Sequence, residues 1–157
     1  MEAGSLRSFI EAKLPGTVLE AQKFGRAGAT ALWIEGASIA DVSRLLRDAP
    51  ETGFDWLESL SCMQIDSTLV LTYFVGRSSD PESRPLRLLR ASLAVDDPRA
   101  VPRIPSVRAV WAAAAPYEDE LAELFGVDFL PRDGGFRILP PEIKGFPMRK
   151  GGSVAAG

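Results

Sequence analysis

The chain has 157 residues, of which 46% are hydrophobic and 25% charged, and its formal net charge is −3. This length and composition are typical of one globular domain with a folded core. The sequence contains no histidine and one cysteine, Cys62. These counts exclude Ser/His and Cys/His nucleophilic pairs, histidine-containing zinc sites and an internal disulfide, and they leave too few thiolates for an iron–sulfur cluster.

Charge and hydropathy also argue against a nucleic-acid-binding, secreted or membrane-spanning protein. A net charge of −3 does not indicate a nucleic-acid-binding domain, whose surface is markedly basic. The first residues lack the basic start and apolar run of a signal peptide, and no window approaches the roughly 18 consecutive apolar residues of a membrane span. We therefore expect a soluble, cytoplasmic chain in which Cys62 is an unreactive core thiol.

Hydrophobic periodicity predicts a helix and a hairpin at the start of the chain. Apolar residues recur at helical spacing over residues 5–14, before a Pro-Gly stop signal. Residues 17–24 and 29–34 are rich in β-branched and aromatic side chains and predict two strands. The glycine-containing segment 25–28 predicts the turn between them.

A second helix and a set of strands follow. Ser38 is placed as an N-cap, with Asp41 as the acid of a capping box, and the apolar residues after it share one helical face. Three further strands are predicted over residues 54–65, 68–75 and 86–95. A polar loop at 77–85 separates the last two. Short connections favour antiparallel neighbours, so the predicted fold class is α+β, a mostly antiparallel sheet with helices on one face.

The last third of the chain is rich in proline. Eight of the twelve prolines lie between Pro98 and Pro147, with one predicted helix among them. We expect residues 1–130 to form an α+β body and residues 131–157 to form an extended tail that docks on a surface. Six apolar residues of the tail support docking: Phe136, Ile138, Leu139, Ile143, Phe146 and Met148.

The helix of this last third carries carboxylates at its apolar border. Its apolar face comprises Tyr117, Leu121, Leu124 and Phe125. At about 100° per residue, Glu118 falls on the rim of this face and Glu120 on the opposite border, whereas Asp119 and Glu123 point away as solvated acids. A carboxylate at the rim of an apolar face needs a cation or hydrogen-bond donors. Gly126 is predicted to end the helix.

The helix and the tail have complementary charge. Residues 117–128 hold five acids and no base, whereas residues 132–157 hold five bases and two acids. We therefore expect the tail to fold back beside the helix, with Arg137 or Arg149 near Glu118. An arginine fork suits this position because it can bind a carboxylate at two points.

Several motifs resemble one protein family. Residues 105–129 contain a tryptophan, then Tyr-Glu-Asp-Glu-Leu, then Phe-Gly-Val-Asp-Phe. Residues 137–140 read Arg-Ile-Leu-Pro, residues 145–150 read Gly-Phe-Pro-Met-Arg-Lys, and residues 54–66 run from Phe-Asp-Trp-Leu-Glu to Ile-Asp. These stretches resemble signature elements of the 30 kDa subunit of respiratory complex I, namely Glu-Arg-Glu before Phe-Gly-Ile, Arg-Ile-Leu, Gly-x-Pro-Leu-Arg-Lys, and Phe-x-x-Leu leading to Val-Asp.

The chain departs from this family pattern at three places. Asp119 stands where the family has the central arginine of Glu-Arg-Glu, which weakens the core of that motif. Residues 130–134, Leu-Pro-Arg-Asp-Gly, replace the family's Gly-His-Pro-Asp segment. Gly151 and Gly152 replace the Asp-Tyr that follows the family's final lysine.

The resemblance implies a non-catalytic accessory subunit in the hydrophilic arm of an NADH:quinone oxidoreductase (complex I), supporting electron transfer coupled to proton translocation. It implies no catalytic, cofactor-binding or metal-binding residue in this chain, with FMN, iron–sulfur clusters and quinone held by partner subunits. The implied partners are the large subunit of the 49 kDa type and neighbouring iron–sulfur subunits, on the cytoplasmic side of the inner membrane, with membrane contact only through the complex. The residues expected in a subunit interface or structural motif are Glu118, Glu120, Phe125, Gly126, Arg137, Pro147, Arg149 and Lys150.

Two other functions stay open from the sequence. The same family includes subunits of membrane-bound nickel–iron hydrogenases, so the chain could belong to that type of complex. A function of a different class is a stand-alone small-molecule enzyme, with Glu118 or Glu120 as a general base of raised pKa.

Overall fold

Five strands form the main sheet of the structure, a computed structural model in which residues 3–24, 29–79, 87–132, 134–135 and 137–151 are described. In chain order the elements are α1 (Ala3–Lys13), β1 (Val18–Phe24), β2 (Ala29–Ile34), α2 (Ile39–Asp48), β3 (Trp56–Ile65), β4 (Thr68–Gly76), β5 (Arg87–Ala94), β6 (Arg103–Pro105), α3 (Ala114–Phe125) and β7 (Asp128–Leu130). The predicted turn at 25–28, most of the predicted loop at 77–85 and Phe136 lie outside the described residues.

The main sheet joins a hairpin to a meander, in the strand order β1-β2-β5-β4-β3. β1 pairs antiparallel with β2, as predicted, and β3, β4 and β5 form an antiparallel meander. The two units meet where β2 pairs with β5 in parallel. The hydrophobic pattern of neighbouring residues does not predict the pairing of β2 with β5. A parallel pair needs a long crossover connection, which here runs through α2, β3 and β4.

The helices pack on one face of this sheet. The fully buried residues of α1 and α2, such as Leu6 and Val42, belong to the same core as Leu71 and Leu89 of the central strands. Phe125 of α3 belongs to this core as well. The α+β class with helices on one face is therefore confirmed.

A second, two-stranded sheet brackets α3. β6 pairs in parallel with β7, so that Ile104 lies opposite Phe129 and both side chains are buried. The Ser106 N–H extends this pairing by donating to the Leu130 carbonyl over 2.7 Å. The chain thus enters and leaves α3 through one hydrogen-bonded pair, which fixes the position of the residues just before the helix.

The predicted capping box at the start of α2 does not form. Ser38 ends a short 3-10 turn, Gly36–Ser38, with φ −93° and ψ −2°, and its side chain makes no capping hydrogen bond. An N-cap side chain needs an extended backbone to reach the first free N–H groups, and this conformation does not provide it. The Glu35 carboxylate instead accepts from the Ser38 N–H, and Asp41 pairs with Arg44.

The turn between α1 and β1 is held by one carboxylate. Glu11 accepts the Gly16 N–H over 2.8 Å and the Val18 N–H over 2.7 Å. Gly16 adopts φ +77°, a conformation that favours glycine. These backbone hydrogen bonds lower the pKa of Glu11 below its ordinary value, mainly through Gly16 and then through Val18.

We expect Glu11 to contribute to the pH dependence of stability in acid. Its pKa is lowered in the folded state, so its contribution is present above the unfolded-state pKa of about 4.3 and is lost as the pH falls through the lower folded pKa. Thermal unfolding of Glu11→Gln should therefore depend less on pH between about pH 3 and 5 than that of the wild type. Glu20→Gln, at an exposed position of β1, is the control, and an unchanged pH profile for Glu11→Gln would contradict this role.

Candidate docking site

Glu118, on the first turns of α3, is fully buried and held by three donors. Its carboxylate accepts the Ser106 hydroxyl over 2.6 Å, the Val107 N–H over 2.8 Å and the Arg108 Nε–H over 3.0 Å. All three donors come from the irregular segment between β6 and α3. A buried carboxylate is costly unless a cation and donors meet it, and this segment supplies both.

Arg108 joins Glu118 to the next acid of the helix. Its Nη2 donates to Asp119 over 3.0 Å, and Asp119 is buried, with 6% of its surface exposed. Burial by itself lowers the pKa of Arg108, but the hydrogen bonds to Asp119 and Glu118 outweigh it and raise that pKa above its ordinary value. We call Ser106, Arg108, Glu118 and Asp119 the Glu118 cluster.

Two sequence-based predictions about this cluster are wrong. The cation beside Glu118 is Arg108, and neither Arg137 nor Arg149. Asp119 is a buried partner of Arg108 and does not project into solvent. The error at Glu118 arose because charge counting favoured the basic tail, and the error at Asp119 arose because a helical wheel considers only the helix. In the structure the chain ahead of α3 folds over its first turns, where it brings Arg108 to Glu118 and covers Asp119.

Aromatic side chains connect the same region to the main sheet. The Trp111 indole N–H donates to the Phe54 carbonyl over 2.8 Å, ahead of β3. The Tyr117 hydroxyl donates to the Glu58 carbonyl of β3 over 3.1 Å. The start of α3 is thus fixed on β3 by specific hydrogen bonds as well as by apolar packing.

The tail folds back beside α3, as the charge pattern predicts. Glu123 accepts the N–H groups of Ile138 and Leu139 over 2.8 and 2.6 Å. Further along, the Met148 N–H donates to the Leu124 carbonyl over 3.0 Å. Glu123 is half-buried against the tail, so the prediction that it points away as a solvated acid is wrong.

Arg149 fixes the tail at the C-terminal end of α3. Its guanidinium donates to the carbonyls of Phe125 (2.6 Å), Gly126 (3.1 Å) and Pro98 (3.1 Å). It also lies 4.8 Å from the centre of the Phe146 ring, a cation–π distance. Burial lowers the pKa of Arg149 from its ordinary value. At the helix end, where carbonyls lack partners within the helix, Arg149 thus binds the carbonyls of Phe125 and Gly126, while the Leu124 carbonyl accepts the Met148 N–H.

Gly126 lets Phe146 pack against the helix end. Gly126 has φ +65° and ends α3 as predicted. A Cβ placed there would lie 2.4–2.5 Å from atoms of the Phe146 ring. A glycine is therefore favoured here for two reasons: it adopts the left-handed backbone conformation without strain, and its missing side chain leaves room for the tail.

The remaining residues of the predicted site are spread over the surface of the tail and helix. Glu120 is exposed, and Arg137 is exposed with its Nε donating to the Leu139 carbonyl over 3.2 Å. Pro147 is half-buried, and the exposed Lys150 donates its N–H to the Gln64 side chain of β3 over 2.8 Å. The structure thus brings Phe125, Gly126 and Arg149 together and leaves Glu118, Glu120 and Arg137 elsewhere.

The groups of this site make their described contacts with other groups of the same chain. Glu118 is fully buried and accepts three hydrogen bonds, an arrangement that leaves it no access to a substrate proton. Burial raises the pKa of Cys62 to about 12, so the thiol stays protonated near neutral pH. Among the described residues, no group of three or more His, Cys, Asp or Glu is placed to hold a metal ion. In that part of the chain no helix is long and apolar enough to cross a membrane.

The fold is an α+β body with a C-terminal segment packed along α3, and the sequence motifs around Glu118 and Arg149 indicate one family. Residues 32–156 match the model of the respiratory-chain NADH dehydrogenase 30 kDa subunit. The chain belongs to this family.

Individual relatives agree with that assignment. The chain is 30% identical over 149 residues to the C subunit of the NADH-quinone oxidoreductase of Roseiflexus sp. (strain RS-1), covering 90% of this chain and 78% of that protein. It is 32% identical over 134 residues to the C/D subunit of the NADH-quinone oxidoreductase of Shewanella woodyi, covering 78% of this chain and 21% of that protein. Its fold is similar to a chain of the membrane-bound sulfane sulfur reductase, an archaeal respiratory membrane complex, with TM-score 0.65, 20% identity, and coverage of 92% of this chain and 78% of that chain.

Removing the charge of Glu118 should destabilise the protein. Glu118→Gln removes the charge opposite the half-buried Arg108 and brings an amide donor against existing donors, which should cost about 3 kcal/mol of unfolding free energy. Glu120→Gln, exposed on the same helix, should change stability by less than about 0.5 kcal/mol. Urea unfolding of both variants measures the difference, and equal stabilities would contradict the buried ion pair.

A side chain at Gly126 should loosen the tail. Gly126→Ala forces the left-handed conformation on alanine and displaces the Phe146 ring, so we expect a loss of about 1–3 kcal/mol and faster trypsin cleavage after Lys144. Gly134→Ala is the control. Gly134 has φ +81° and open space where a Cβ would lie, so alanine there has the conformational cost without a clash. Cleavage after Lys144 that is equally fast in both variants would contradict the packing role of Gly126.

Proposed function

We propose that this chain is a non-catalytic accessory subunit of an NADH:quinone oxidoreductase-type complex, whose role is to present a preformed docking surface. The observation that carries the proposal is the attachment of the tail to α3 by Glu123 and Arg149. Because these hydrogen bonds already hold the tail within the single chain, less conformational entropy is lost when a partner binds it.

The partner proposed for this surface is the large subunit of the 49 kDa type, here called the D-type subunit. The Shewanella woodyi relative carries both letters, C and D, in the name of one protein, and this chain corresponds to about a fifth of its length. A fusion of two subunits is compatible with function only where the two parts can lie close together. Neighbouring iron–sulfur subunits are proposed as further contacts.

The cofactors of the proposed reaction belong to other subunits. We assign FMN, the iron–sulfur clusters and quinone to those partners, and place this chain on the cytoplasmic side of the membrane through the complex. The polar network supports this division, because the charged groups of the Glu118 cluster hydrogen-bond with one another and with the backbone.

An equivalent subunit of a related complex is the second candidate. The fold is shared with a chain of an archaeal respiratory membrane complex, the sulfane sulfur reductase. This supports a related assembly with a different electron acceptor, of which a membrane-bound nickel–iron hydrogenase is the form that the sequence motifs leave open. A stand-alone enzyme using Glu118 or Glu120 is not proposed, since the first is buried and fully hydrogen-bonded.

Purification of the native assembly tests this proposal. A tagged chain expressed in its source organism should be recovered from membranes with a flavin- and cluster-containing complex that reduces quinone with NADH. Hydrogen evolution by the recovered complex, without NADH oxidation, would support the second candidate. Recovery of the chain by itself under mild detergent conditions would contradict both.

A further inference from the structure

The two edges of the main sheet differ in charge. The edge strand β1 carries two exposed charged residues, Glu20 and Lys23. The other edge strand, β3, carries no charged residue from 59 to 65, where it reads Ser-Leu-Ser-Cys-Met-Gln-Ile. Exposed edge strands are usually protected against pairing by charges, prolines or bulges. The charged edge therefore fits a strand in contact with water, and the uncharged edge fits a strand that another molecule covers.

Large apolar side chains are exposed on β3, two of them in its uncharged stretch 59–65 and one, Trp56, at its start. Met63 is 56% exposed, Ile65 50% and Trp56 54%. Leu60 and Cys62 pack towards the core, and successive side chains of a strand point to opposite faces, so Met63 and Ile65 lie on the face turned away from the helices. Methionine and tryptophan are enriched in protein interfaces, where they supply apolar area in the buried centre.

The tail leads to the same strand. The Lys150 N–H donates to the side chain of Gln64, the residue between Met63 and Ile65. Met148, two residues earlier, is 56% exposed. The tail therefore reaches the outer edge of β3 from the helix face of the sheet, and Met63 and Ile65 border the same edge from the opposite face. Among the strands of the described residues, β4 is the neighbour of β3 in the sheet and none pairs with its outer edge.

We infer that the β3 edge, with Met63 and Ile65, is the surface on which the large D-type subunit docks. This inference rests on the proposed function, which makes that subunit the partner of the tail. A partner bound along the tail reaches the edge of β3 at Gln64 on the helix face, and by covering this edge it also contacts Met63 and Ile65, which border the edge on the opposite face. The occupant is expected to offer an apolar segment, because this stretch of strand has no charge with which to pair.

Charge introduced at the edge tests the inference in the whole assembly. Tagged wild type, Met63→Glu and Ile65→Glu are each expressed in the source organism, and the D-type subunit recovered with each is quantified. Each glutamate variant should recover about tenfold less D-type subunit, the effect of about 1.4 kcal/mol of lost binding energy. Met63→Leu, which keeps an apolar side chain, should recover as much as the wild type.

Leu19→Glu is the matched control. Leu19 is a 61% exposed apolar residue of β1, at the opposite edge of the sheet, so its substitution introduces the same charge at a comparable position. Recovery of the D-type subunit with Leu19→Glu should stay within about twofold of the wild type. Thermal unfolding of each purified variant shows that the folded domain is retained.

The outcomes separate the two proposals. If the wild type recovers no D-type subunit, the proposed function fails and the inference fails with it. If the wild type recovers it and the two β3 variants do so equally well, the edge assignment is wrong and the proposed function stands. An isolated wild-type chain that dimerises in solution, and whose dimer is lost in Ile65→Glu, would overturn the assignment in favour of a second copy of this chain.

Discussion

The buried carboxylate of Glu118 is the interaction on which the last third of the structure depends. A carboxylate that is fully removed from water needs donors and a cation, and Ser106, Val107 and Arg108 supply them. These three residues belong to a stretch without regular secondary structure, so the acid that they bind holds their conformation together with the hydrogen bond from the Ser106 N–H to Leu130. The same conformation lets Trp111 donate to the Phe54 carbonyl, which fixes the start of α3 on the main sheet.

The two ends of α3 use polar groups in opposite senses. At the start of the helix, the buried carboxylate of Glu118 accepts hydrogen bonds from backbone and side-chain donors. At the end, the buried guanidinium of Arg149 donates to the carbonyls of Phe125 and Gly126. Phe146 packs there because Gly126 has no side chain. The tail is thereby ordered by contacts within the chain. Its exposed residue Met148 lies two residues before Lys150, whose N–H donates to Gln64 of β3.

Asp119 departs from the family pattern, yet it and Glu118 share a cation in the structure. The resemblance places an arginine at this position, between two acids. In this chain the cation beside the two acids is Arg108, which reaches Glu118 and Asp119 from the segment before α3. A positive charge thus lies beside Glu118 although the motif of this chain carries none. The motif differs from the family pattern at Asp119, whereas in the structure Arg108 supplies the cation that the buried Glu118 needs.

The sequence by itself determined the helices, the strands of the main sheet and the end of α3 at Gly126, because local periodicity and glycine conformation are properties of neighbouring residues. Charge balance also predicted the return of the tail, although the contacts that hold it are hydrogen bonds of Glu123 and Arg149 with backbone groups. The motifs also indicated the family. Tertiary structure decided the parallel pairing of β2 with β5, the β6–β7 pair and the partner of Glu118. The prediction failed at Glu118 because charge counting favoured the basic tail, while the folded path of residues 106–108 brings a nearer cation. Which segment covers a buried charge depends on how irregular chain packs in three dimensions, and no periodic pattern in the sequence encodes that path.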